Sequence, residues 1–96
     1  MDMAVYVVTW NLNKERGNYD AARRAFLQHL ERYDNKKDSG LESVRWINTP
    51  RSVHEVDADL RSKLDTNDRI FVCQVTNGNH QGWLDQPVWD WINARL

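Results

Sequence analysis

The sequence predicts an α+β fold in one domain spanning residues 1–96. Three observations carry that prediction. The opening stretch "AVYVVTW" is apolar at both alternating positions, as a strand deep in a sheet must be. Tyr19, Ala22, Phe26, Leu30 and Tyr33 recur at spacings of 3, 4, 4 and 3, which lines one face of a helix. Val53, Val56, Leu60 and Leu64 repeat the pattern at 3, 4 and 4.

The elements follow in order. Residues 4–10 form the first strand, and Asn11 stands where it ends. Asn13 to Asn18 reads as a polar loop, with Gly17 free to take unusual backbone angles and Asn18 a fair helix N-cap. A first helix over about 19–32 turns Arg23, Arg24 and Glu31 outward. Tyr33 to Lys36 suits a short strand, and Asp38-Ser39-Gly40 turns the chain. Leu41 to Asn48 reads as the next strand, with Val44 and Trp46 on one face and Arg45 and Ile47 on the other. Pro50 breaks it. Ser52-Val53-His54-Glu55 fits a capping box, in which the hydroxyl accepts from a helical N–H and the carboxylate reaches back. A second helix over about 52–64 ends at Asp65-Thr66-Asn67-Asp68. "RIFVCQVT", Arg69 to Thr76, is an apolar strand in which Cys73 is expected as a small buried hydrophobe. Pro87 opens a short terminal helix.

That order is the ferredoxin-like βαββαβ plait: a four-stranded antiparallel sheet, two helices on one face and a short C-terminal helix. The first and third strands are expected to be central. The opposite face then meets water, the terminal segment or a second copy, and a homodimer is expected.

Composition narrows the function classes. The apolar share is 41% and the charged share 28%, as in a globular domain. The net charge is −1, so the whole chain does not advertise nucleic-acid binding. Residues 1–51 carry nine Lys/Arg and seven Asp/Glu, giving +2, and residues 52–96 carry four and seven, giving −3. A single cysteine rules out an internal disulfide and a Cys-based metal cluster, and points to the cytoplasm. No membrane span or cleaved leader is expected.

Several constellations bear on chemistry. His54, Asp57 and Asp59 cluster on the second helix, but a helix N-terminus rich in acids explains them without a metal. His29 flanks the first helix's apolar stripe as a surface or boundary residue. The loop "NGNHQGW" offers Asn77, Asn79, His80 and Trp83 as a candidate ligand loop for a phosphate or a base. The plainer reading is a turn with Trp83 packed on the sheet edge. Lys14, Arg16, Arg23, Arg24, Lys36 and Lys37 are the candidates for phosphate contact. Arg45 and Trp46 alternate in direction, which argues against the stacking platform of an RNA-recognition domain.

The pieces "VVTWNLN", "NYDAARRAF", "SVRWINT", "SVHEVDADLRSKL" and "NDRIFVCQVT" stand in the order and spacing of the small bacterial proteins labelled SinR-family, which the chain resembles over about residues 4–83. That group resembles in turn the second core CRISPR-adaptation protein and virulence-associated protein D. The resemblance implies a ferredoxin-like homodimer, either a metal-dependent nuclease or a structural module that holds DNA. In such relatives an Asp at the end of the first strand would hold the metal. Here that place is Asn11, whose neutral amide is a poor ligand for Mg²⁺ and cannot act as a general base. Glu15 is the nearby carboxylate.

Three expectations follow. The first is a non-catalytic homodimeric module, without cofactor or metal, that holds nucleic acid or a protein. The second is a Mg²⁺-dependent endonuclease or ribonuclease, toxin-like, using Asn11 and Glu15. The third is an accessory protein that binds no nucleic acid.

Overall fold

The computed structural model describes residues 2–14 and 17–96. Among the described residues, four strands and three helices follow one another as β1 (Ala4–Asn11), α1 (Tyr19–Leu30), β2 (Asp34–Lys36), β3 (Val44–Thr49), α2 (Val53–Arg61), β4 (Arg69–Val75) and α3 (Gln86–Arg95). All pairings are antiparallel, and the strands lie in the order β2-β3-β1-β4. The expected central position of the first and third strands is therefore observed.

The register explains why β1 is apolar throughout. Tyr6, Val8 and Trp10 point to one face and join Ile47 of β3, Phe26 and Leu30 of α1, and Val56 and Leu60 of α2 in one buried cluster. Val5 points to the other face, where it packs with Trp46, Val75, and Val88 and Ile92 of α3. The terminal helix is thus the element that covers the second face. Ten residues of helix reach only about 15 Å, so it cannot cover the whole of it.

The capping box forms as the sequence predicts: Glu55 N donates to Ser52 Oγ at 3.1 Å, and Ser52 N donates to Glu55 Oε1 at 2.9 Å. The bond from Ser52 N, and then the Ser52 hydroxyl, hold the Glu55 carboxyl below its usual range. Asn18 occupies the cap position of α1, but its side chain makes no capping hydrogen bond. β3 begins at Val44 rather than Leu41, because Leu41 N bonds back to Asp38 O in a turn. α2 stops at Arg61, and Leu64 packs on the core from the turn that follows.

Two expectations are overturned. Cys73 is exposed, not buried. β4 is an edge strand, and the face that carries Phe71 and Cys73 lies beside the part covered by α3. Trp83 is not packed on the sheet edge: it is 99% exposed. Leu84, the next residue, takes the inward place in the cluster under α3.

Candidate functional site: a mixed-charge cleft beside Arg45

Arg45 lies opposite Val8 on β3, so its side chain points to the face covered by α1. It is a charged residue at a position whose neighbours in register are core, and only 9% of its side chain is exposed. Such a group needs partners. Arg45 Nη1 donates to Asn35 Oδ1 at 2.9 Å and to Glu31 Oε2 at 3.2 Å. The anchor is thereby fixed by β2 on one side and α1 on the other.

Two clefts open next to it. One of about 580 Å³ runs between α1 and the β2–β3 connection and is lined by Asp20, Arg23, Lys37, Ser39, Glu42 and Arg45. A second of about 410 Å³ shares Lys37, Ser39 and Arg45 and adds Lys36, Glu31 and Asp85. The bases Arg23, Lys37 and Arg45 thus meet in one cleft, with Asp20 and Glu42 on its walls. This arrangement suits one or two anionic groups rather than a broad polyanion surface.

Asp38, buried, also lines the first cleft. Its Oδ1 accepts from Gly40 N at 2.8 Å and its Oδ2 from Asp85 N at 2.9 Å. These backbone donors, Asp85 first, hold its carboxyl below the usual range. Asp38 therefore fastens the start of α3 to the β2–β3 turn.

Of the six basic candidates, Arg23, Lys36 and Lys37 fall on these clefts. Lys14 and Arg24 are exposed but line neither. Arg16 and Glu15 lie outside the described residues. Arg45 was not among the candidates; its signal in the sequence was a charge at an inward parity between Val44 and Trp46.

Asn11 is exposed at the end of β1, opposite Arg69 of β4, beside a hollow of about 210 Å³ that Thr9 and Phe71 also line. Among the described residues no three His, Cys, Asp or Glu side chains stand close enough to hold a metal ion.

In the 77–83 loop, Asn79, His80 and Gln81 make local hydrogen bonds. Asn79 Nδ2 donates to Thr76 Oγ1 at 3.3 Å, and His80 Nδ1 donates to Thr76 O at 2.8 Å. The His80 ring turns toward Trp89, 6.0 Å between centroids, while Trp83 points to solvent. Gly78 takes φ +81°, a conformation that suits glycine and makes this turn.

A separate polar network joins α1 to α2. Asp59 accepts from Tyr33 Oη at 2.6 Å and from Arg32 Nη2. His29 Nε2 stands 3.0 Å from both Asp59 O and Oδ1. Nothing in the sequence marked this group, because its members come from elements 26 to 30 residues apart. Asp59 is thereby taken up in helix packing rather than in a cluster with His54 and Asp57.

Comparison of the chain with protein-family models, with curated proteins and with solved structures finds no match.

Proposed function

We propose that this chain is a ferredoxin-like homodimeric module that holds nucleic acid without cleaving it, gripping phosphates in the cleft beside Arg45. The observation that carries this reading is the meeting of Arg23, Lys37 and Arg45 on one cleft. Phosphate contacts fix a strand's position without reading its sequence, and Arg presents a planar fork suited to phosphate oxygens. The strand order β2-β3-β1-β4, with α1 and α2 packed on one face, supports the plait. The resemblance to SinR-family proteins and to the adaptation-complex protein supports a holding role. Asn11, in the place of a metal-binding Asp, supports the absence of catalysis.

The test is a titration of labelled single-stranded DNA and RNA at two salt concentrations. Two phosphate contacts give a slope near −1.4 in log K against log salt, so affinity falls roughly sevenfold between about 50 and about 200 mM. Arg23→Ala and Lys37→Ala should each flatten that slope by about 0.7. Binding that ignores both substitutions overturns the site. A parallel incubation with Mg²⁺ or Mn²⁺ should leave the strands intact. Cleavage abolished by Asn11→Ala would replace this reading with the nuclease.

A further inference from the structure

The two edges of the sheet differ. β2 is a three-residue edge, Asp34-Asn35-Lys36, held by the Arg95 Nε–Asp34 Oδ2 pair at 2.8 Å. Short, charged edges of this kind resist pairing with other chains. β4 is the opposite edge, seven residues long, and among the described residues pairs only with β1. After Arg69 it carries no charge, proline or break in register through Val75. Its free side is an unguarded row of backbone donors and acceptors, and the occupant it fits is another strand.

The side chains around it support one occupant. Phe71 is 63% exposed and Cys73 is exposed on the same face. On the helix face, Ile70 joins Ala58, Arg61 and Leu64 in lining a groove of about 500 Å³. α2 carries Glu55 and Asp57 in its first half and Arg61 and Lys63 at and beyond its end.

We propose that β4 pairs antiparallel with β4 of a second copy about a two-fold axis at Val72, joining two sheets into one. This deepens the homodimer reading above and rests on it. The axis at Val72 is the one that pairs all seven residues. It sets Phe71 against Cys73 of the second copy, a ring-on-sulfur contact repeated across the axis. It sets Arg69 opposite the uncharged Val75, so no like charges oppose. The two α2 helices then run antiparallel, bringing the acidic half of each toward the basic end of the other. Strand pairing alone buries less than the roughly 800 Å² per partner that a stable interface needs; the Phe71 strip and the α2 groove supply the remainder.

Sedimentation of the full chain from about 1 μM to about 1 mM tests this. The wild type should dimerise. Phe71→Lys/Cys73→Lys should weaken the dimer at least tenfold while circular dichroism stays unchanged, since both side chains are exposed. Phe71→Cys should form a disulfide-linked dimer with Cys73 of the second copy on oxidation. A monomeric wild type overturns the interface and the homodimer reading together, and leaves the edge to a strand of another protein. A dimer that the double variant weakens less than tenfold overturns the β4 interface alone. Nucleic-acid binding, read separately, bears on neither outcome.

Discussion

Tyr33 donates its hydroxyl to Asp59 Oδ2 across 2.6 Å, linking the segment after α1 to the last turn of α2, twenty-six residues away. Arg32 and Arg51 sit near the same ring, with Cζ 5.6 and 5.9 Å from its centroid. The two helices share one sheet face, and this bond fixes how they lie against each other. Removing only the hydroxyl tests it. Tyr33→Phe keeps the ring and its cation contacts and should lower unfolding free energy by about 1 kcal/mol, read from urea denaturation. No loss would show that solvent replaces the bond without penalty.

The same pair sets two limits of pH. Burial pushes the Asp59 carboxyl up, but hydrogen bonds from Tyr33 and Arg32 and the charges of His29 and Arg32 outweigh it and hold the group below its usual range. A depressed carboxylate contributes stability above its unfolded pKa, near 3.9, and that contribution is lost as pH falls further. Wild type should therefore lose stability below about pH 4 more steeply than Asp59→Asn. Equal slopes would remove Asp59 from the acid transition.

On the alkaline side the sign reverses. Burial first, then the hydrogen bond to Asp59 and its charge, pushes the Tyr33 hydroxyl up to about 12. A raised pKa contributes stability that is complete below the unfolded value near 10 and disappears as pH rises toward the folded one. Stability should fall through that window, and Tyr33→Phe should shallow the fall. Part should persist, because burial and then the Glu55 charge also raise Tyr6, whose hydroxyl donates to Arg51 O at 2.7 Å.

α3 covers part of the second face of the sheet through Val88 and Ile92, both buried. Ile92→Ala removes buried methyl groups between α3 and the Val5–Trp46 surface, and should cost about 3 kcal/mol. A loss below about 1 kcal/mol would mean that α3 detaches at little cost and is an appendage rather than a layer.

How far the sequence revealed this molecule depends on the element. Helical stripes were legible because a 3.6-residue period states which side faces inward: Phe26, Leu30, Val56 and Leu60 are all buried as expected. A strand's composition says less. "AVYVVTW" and "RIFVCQV" look equally apolar, yet β1 is flanked on both sides and β4 on one. What separates them is the reach of α3, which nothing within β4 encodes. Trp83 and Leu84 show the same limit, since neighbouring apolar residues in a loop compete for one inward place and only packing decides between them. At the cleft, Lys36 and Lys37 were legible as a basic turn, and Arg45 as a charge at an inward parity. Its bonds to Asn35 and Glu31 depend on how β2 and α1 close over β3.

Asn48 gives the last prediction. It sits on β3 opposite Val5 and Asp34, on the face covered by α3. Its Oδ1 is buried and accepts no hydrogen bond from the described residues. A buried amide carbonyl with no donor is unfavourable by about 1 to 3 kcal/mol, so its replacement by an apolar group of similar size should help the fold. Asn48→Leu keeps the number and branching of the side chain's heavy atoms, with bulkier methyl groups at the tip, and removes the orphaned oxygen. It should raise the urea midpoint by the equivalent of about 1 kcal/mol without changing the slope of the transition. Asn48→Asp places a charge at the same point and should lower the midpoint. The pair of variants separates polarity from shape: if Leu destabilises as much as Asp, the site tolerates no change of shape, and the missing hydrogen bond is not what limits it.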